Sequence, residues 1–308
     1  MIRNEVNYKM NNYWRGVIMT LIAAACWGIM SPIAKVLSSA GVSLMSAMAF
    51  RAFFVVVTLG PFIYFTKGSD AFRLNRSVFG FYLLSGILSV ACAGGGFLMS
   101  LEYLSVAEAL ILHYTFPLVT LFGSIYITHE KPTFLQIISG FLIVVGVYLG
   151  MVGGDKTFSG ISIPGLMWGT LAIIGISGQA LIGRRVCKGQ KTDQLALLFF
   201  AHLFGGIIIA AGKSSIAGWG DTVNLTMYLF GLMVFQSFCG SLLAYGFFYT
   251  ALKYIPAATV SLLCTLEIVV AVGLTSLLLA QSPSIQEVMG CGLIIIAIVF
   301  AARPSRIE

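Results

Sequence analysis

Glu267 stands in the middle of a long apolar run, where an ionised carboxyl has no water to solvate it. Such a residue costs about 2.5–3.5 kcal/mol at the centre of a membrane helix, so it faces a cavity or a partner. Val260, Cys264, Glu267 and Ala271 follow one another at spacings of four, three and four, a single stripe along a helix. Two readings fit the carboxyl: it binds an amine or exchanges a proton, or it hydrogen-bonds across to a neighbouring helix as a structural strut. His113 and His202 lie in other apolar runs, and histidine titrates near neutral pH. With Glu267 they could form a proton or cation relay; equally, each could bond a nearby backbone group. Tyr114 and Pro117 adjoin His113, and a proline-disturbed helix frees carbonyls for a ligand.

Arg51 offers a planar fork that pairs bidentately with a carboxylate, or a cation that snorkels outward. For Lys35 and Glu108, nearer their helix ends, snorkelling or a mutual ion pair is expected. Thr20, Ala24, Trp27, Ser31 and Lys35 share one face of the first run, and Trp168, Ala172, Gly175 and Gln179 share one face of the sixth. Small residues on those faces suit close helix packing. Trp27 and Trp168 could instead stack on a substrate or cover a cation. Gln179, Gln236 and Tyr245 add hydrogen-bonding groups, as does Tyr249 unless it belongs to an interfacial aromatic belt.

The chemistry of enzymes does not assemble from these residues. His129 and Glu130 begin an HExxH-like string, but Thr133 and Phe134 follow where a second zinc ligand is needed. No GxSxG or P-loop occurs. The six cysteines follow no CxxC spacing, which argues against a zinc site or a disulfide framework. No metal or cofactor is expected.

The elements that must position these side chains follow from composition. Of 308 residues, 58% are hydrophobic and only 9% charged, against about 25% charged in a soluble domain. Apolar runs long enough to cross a bilayer, about 20 residues, recur ten times: 14–38, 43–66, 78–99, 105–128, 134–152, 162–183, 194–212, 226–250, 256–280 and 284–302. The run at 14–38 is too long for a cleaved signal peptide. Lipid leaves no partner for unpaired amides, so the runs must be helices, and the class is all-α integral membrane. The net charge of +7 comes from scattered loop residues rather than a patch for nucleic acid. Basic residues are retained on the cytoplasmic side. Fourteen of them fall on one set of alternate connections, among them Lys67, Lys131, Arg184, Lys188, Lys191 and Arg306, against Lys156 and Lys213 on the other. This predicts a multi-pass protein of the cell membrane, of the bacterial cytoplasmic kind, with both termini cytoplasmic.

Shifting the chain by 151 residues aligns Gly95 with Gly246, Phe97 with Phe248, Leu101 with Leu252, Tyr103 with Tyr254, Ala107 with Ala258, Leu112 with Leu263, Val119 with Val270 and Pro132 with Pro283. The halves 1–152 and 153–308 then hold five helices each. An odd number makes the second copy enter the bilayer from the opposite side, the inverted repeat of many secondary transporters. A non-transporting structural membrane protein has no need of that arrangement.

With AACWG at Ala24–Gly28, YLSVAEALILHYTFP at Tyr103–Pro117 and ALKYIPAATVSLLCTLE at Ala251–Glu267, the chain resembles the drug/metabolite transporter superfamily, specifically its EamA-type ten-helix carriers, over essentially its whole length. The family pattern continues with proline after the glutamate; Ile268 stands there instead, whereas Pro117 in the equivalent helix is kept. The resemblance implies a secondary carrier with a cavity between its halves, often an exporter of amino acids, amines or related metabolites. Substrate uptake, as of an organic cation, is the alternative direction.

Overall fold

A computed structural model describes residues 2–74, 76–152, 162–188, 193–223, 225–279 and 282–304. Lys156, Lys191, Arg306 and the start of the second half at 153 lie outside the described residues. Among the described residues nine helices are long and apolar enough to span a membrane: α1 Met10–Ser39, α2 Leu44–Lys67, α3 Phe79–Ser100, α4 Val106–Ile127, α5 Phe134–Met151, α6 Ile163–Cys187, α7 Gln194–Ile216, α8 Met227–Tyr254 and α9 Ala257–Leu278. The tenth apolar helix, α10 Ile285–Ala301, is shorter. At about 1.5 Å per residue it falls a little short of the hydrocarbon thickness. Each of the ten apolar runs is a helix whose ends lie within a few residues of those expected, nine of them of spanning length.

Side-chain caps begin the helices where apolar sequence gives way. Ser105 with Glu108 and Ser284 with Glu287 form capping boxes at α4 and α10. Glu108 is thereby held in a cap at its own helix start. Large apolar side chains are exposed along the outside, Phe65 at 83% and Leu277 at 80% among them. A water-soluble chain could not sustain such a girdle, whereas lipid favours it.

The packing repeats across the halves. Helix α1 packs on α8, and its counterpart α6 packs on α3; α1 also meets α9, as α6 meets α4. Three further contacts pair equivalents directly: α2 with α7, α5 with α10 and α4 with α9; α3 with α7 and α2 with α8 again exchange partners. This exchange of partners is what a two-fold axis relating the five-helix units produces.

Besides a one-residue turn at Ile29 in α1, four helices depart from regular α geometry, and they do so in symmetric pairs. Wide i→i+5 turns occupy Ile87–Gly95 of α3 and Phe238–Leu243 of α8, segments that begin 151 residues apart. Such turns inside α-helices leave carbonyls free and gather at functional sites. Helix α4 breaks between His113 and Phe116, and α9 between Cys264 and Leu266. Pro117 lacks an amide for the first break. No proline serves the second, yet α9 breaks as well. The Thr265 hydroxyl donates to the Leu262 carbonyl at 2.7 Å, as Thr115 does to Leu112 at 2.7 Å, so a side chain competes for the backbone acceptor at both breaks.

Glycine brings α1 against α9 beside Glu267. A Cβ at Gly28 would lie 2.6 Å from the Cβ of Val270 and 2.8 Å from the Glu267 carbonyl oxygen. Gly28→Ala is expected to force the helices apart and destabilise the protein by about 1–3 kcal/mol, read as a lower thermal unfolding midpoint in detergent; an unchanged midpoint would show that the contact gives way freely.

Candidate functional site

The broken and widened helices surround a central cavity of about 340 Å³, at the small end of ligand pockets, which run about 300–1,000 Å³. The Tyr114 hydroxyl, at the α4 break, donates to Glu267 Oε1 at 2.7 Å just past the α9 break. One polar contact thus joins the two broken helices across the pseudo-symmetry axis. The wide turn of α8 exposes the Gly240 carbonyl, which accepts from Trp27 Nε1 at 3.0 Å and from Arg51 at 3.5 Å; Arg51 Nε also donates to Ser241 Oγ at 2.9 Å. Trp27 meets Tyr245 edge-on, with ring centroids 5.3 Å apart, and Phe248 at 5.5 Å. His202 meets Tyr245 edge-on at 5.2 Å, while its Nδ1 bonds the Leu198 carbonyl at 2.9 Å. His113 packs on Phe97 at 4.8 Å. The His113 Nδ1 and Gln236 Oε1 atoms are buried without a hydrogen-bond partner.

Two ionisable side chains face this cavity. Ion pairs among the described residues include Lys67–Asp193, Arg73–Asp70, Glu130 with Arg184 and Lys188, and Lys213–Asp221. Neither Arg51 nor Glu267 takes part in one. Both line the cavity. The remaining wall is largely apolar, with Met30, Met48, Phe97, Leu98, Leu110 and Ile176.

The cavity reaches only one face of the molecule. Its lining extends to Leu44, the first residue of α2, and to Leu98 and Leu110 near the ends of α3 and α4. In the other direction it stops at Gln179, Phe248 and Ser261. Beyond them Tyr249, Leu252, Ile255 and Ala258 are at most 2% exposed. Tyr249 therefore belongs to this seal and not to an interfacial belt; its hydroxyl accepts from Gln179 at 3.4 Å and its carbonyl from Gln194 at 2.8 Å.

The EamA-like transporter family matches residues 14–152 and again 163–303, so the two halves are two copies of one family repeat. The chain belongs to the EamA-like transporter family. Within the drug/metabolite transporter superfamily it is similar to the "Uncharacterized transporter YyaM" of Bacillus subtilis (strain 168), at 23% identity over 269 residues and 85% of each chain. The fold is also that of a solved crystal structure covering 93% of this chain and 96% of the other at a TM-score of 0.77 and 15% identity. An EamA-like transporter acts on a small-molecule substrate within a lipid bilayer.

Nine of the ten site residues singled out from sequence line that cavity: Trp27, Arg51, His113, Tyr114, Gln179, His202, Gln236, Tyr245 and Glu267. Trp168 does not. It lies near the far end of α6, where its carbonyl oxygen would meet a Cβ added at Gly96 of α3 at 3.0 Å. The Ala172 and Gly175 part of the same stripe is likewise closed off by α3, since a Cβ at Gly175 would sit 2.4 Å from the Ala93 amide nitrogen. Only Gln179, further along, reaches the cavity. Sequence reading missed Phe97, Phe248, Ser241 and the Gly240 carbonyl. The repeat did hold a signal for two of these, because it pairs Phe97 with Phe248. Nothing in the sequence marks the wide turn that frees Gly240.

At the sealed face, Glu130 is partly buried, which disfavours its charged form, but the Arg184 and Lys188 cations outweigh burial and hold the carboxyl below its usual range. An ordinary glutamate titrates near about 4.3. Because the folded value is the lower one, this stabilisation is complete above that pH and is lost as pH falls through the folded value. The unfolding midpoint of the wild type is therefore expected to drop more steeply than that of Glu130→Gln between about pH 5 and about pH 3; parallel curves would remove Glu130 from the acid response.

Proposed function

We propose that this chain is a secondary carrier that exports a small amino-bearing metabolite, an amino acid or amine, by alternating access with proton exchange. The observation that supports the reading is the pair of ionisable side chains, Glu267 and Arg51, that face one small cavity without an ion-pair partner among the described residues. Uncompensated charge at that depth is costly, and a ligand bearing an ammonium group offsets it at Glu267. The faces of Trp27 and Phe248 favour the same group, while Arg51 suits a carboxylate. A carboxyl that gives up its proton when the amine arrives, and takes one when the amine leaves, links the two fluxes in opposite directions.

The halves 1–152 and 153–308 supply the motion, since inverted units can exchange conformations and so present one site to each face in turn. The excess of Lys and Arg on the Glu130 face supports placing that face and both termini in the cytoplasm. The aromatic wall beside Glu267 equally suits uptake of an organic cation lacking a carboxylate, and direction of flux separates the two readings.

Proteoliposomes of the purified chain, given labelled amino acids, primary amines and a quaternary ammonium probe under an imposed pH gradient, test this. Movement of an amino acid or amine against a proton gradient is expected. Movement of the quaternary cation alone favours the uptake reading, and the absence of gradient-driven flux for every compound would overturn the proposal.

A further inference from the structure

The sealed face is closed by one cluster of charge that ties the two halves together. Glu130 lies in the short connection after α4, in the first half. Arg184 and Lys188, at the end of α6, belong to the second. Arg184 donates to Glu130 Oε1 from Nε at 2.9 Å and from Nη2 at 2.7 Å, and from Nη1 to the Leu252 carbonyl of α8 at 2.6 Å. Lys188 Nζ adds a bond to the same carboxylate oxygen at 3.2 Å. The Arg184 side chain is only 7% exposed and that of Glu130 only 14%. This cluster caps the packed layer of Tyr249, Leu252 and Ile255 that ends the cavity.

A second, independent feature lies next to it. His129, immediately before Glu130, has φ +54° and is the one non-glycine residue among those described with positive φ. It stands just past the C-terminus of α4, where a single left-handed residue commonly ends a helix. The turn is fixed by the Glu130 amide bonded to the Ser124 carbonyl, the Ser124 hydroxyl bonded to the Glu130 carbonyl at 3.0 Å, and the carboxylate pinned by two cations.

The same helix segment that ends at this connection begins at the site. Phe116–Ile127 of α4 starts two residues after Tyr114, the hydrogen-bond partner of Glu267, and ends three residues before Glu130. Its twelve residues, about 18 Å of helix, run as one rigid piece from the cavity wall to the cluster. Among the described residues Arg184 has no charged counterpart on the opposite face. Subtracting the repeat offset puts Ile33 where Arg184 stands, and the ion pair found there, Lys213 with Asp221, bonds Ser43 and Ser46 at the start of α2 instead of closing the cavity mouth.

We infer that the Glu130–Arg184–Lys188 cluster is the latch of the gate at this face: it holds the carrier closed here, and it must open each time the cavity turns toward that side. The inference rests on the alternating-access reading above, but not on any choice of substrate.

Cys264 lines the cavity and serves as a native reporter. In the full-length chain with the other five cysteines replaced by alanine, its reaction with a membrane-impermeant maleimide is followed separately from each face in oriented vesicles. With the latch intact, labelling from the Glu130 face is slow. Glu130→Gln is expected to speed it about tenfold or more and to slow labelling from the opposite face, the signature of a shifted population. Arg184→Lys keeps the charge while losing the fork and the bond to Leu252, and is expected to move both rates the same way by less. Should Glu130→Gln fail to fold, Arg184→Lys decides alone. Unchanged labelling from the Glu130 face in the folded variants overturns the latch. Because no transported solute enters the measurement, its failure is distinct from a failure of the flux experiment, which tests the cavity chemistry.

Discussion

Replacing Glu267 with glutamine is expected to leave the fold intact and to reduce transport by about tenfold or more, since a loss of about 1.4 kcal/mol in a charge-assisted contact is already a factor of ten. Glutamine keeps an acceptor for the Tyr114 hydroxyl, so the link between α4 and α9 at 2.7 Å survives. What is lost is the charge and the ability to carry a proton. The variant is therefore expected to show both the smaller flux and a flattened dependence on pH. Tyr114→Phe makes the complementary change: it removes the hydrogen bond and leaves the carboxyl, at a cost of about 1 kcal/mol or about fivefold, with the pH dependence retained. Flux at a series of pH values in proteoliposomes reads both. If Glu267→Gln matched the wild type at every pH, the carboxyl would be a strut between helices and nothing more.

The second large effect lies at the other end of the molecule. Lys213 is 1% exposed. Its Nζ donates to Asp221 Oδ1 at 3.0 Å, and Trp219 lies 5.8 Å away with its ring face toward it. Asp221 also accepts from the Ser43 amide at 2.9 Å and the Ser46 hydroxyl at 2.6 Å, which ties the connection between α7 and α8 to the start of α2. Removing one member of a buried pair leaves an uncompensated charge and costs about 3–5 kcal/mol, whereas removing both often costs little. Asp221→Asn is expected to fall at the lower end, about 3 kcal/mol, because asparagine still serves the two serine donors. The double variant Asp221→Asn with Lys213→Met is expected to recover most of the loss. Thermal unfolding in one detergent compares the three proteins. Equal midpoints for the single and double variants would mean that the lysine is not stranded by losing its partner.

The hydrophobic runs told where the helices are because lipid admits little else: a segment without water must satisfy its own amides, so length and polarity suffice to place it. The pairs Tyr103 with Tyr254 and Pro132 with Pro283 revealed the repeat because apolar residues match by chance easily in such a chain, whereas tyrosine and proline at helix boundaries seldom do. Single polar residues in such runs, Glu267, Arg51 and His113 among them, were legible for the same reason, since each is too costly to sit in lipid unexplained. Trp168 marks the limit of that logic. Its stripe on α6 has the same spacing as the Trp27 stripe on α1, yet α3 covers one and the cavity opens beside the other.

Sequence alone thus determined the number of helices and the small set of side chains worth suspecting, because each is a local question of whether a residue tolerates hydrocarbon. The tertiary structure decided which of those side chains converge, that α9 breaks without a proline, that wide turns in α3 and α8 free the Gly240 carbonyl, and that Glu130 meets Arg184 across the halves. Those depend on how helices far apart in the chain rotate against one another, and a helix's own periodicity carries no record of which neighbour will cover which face.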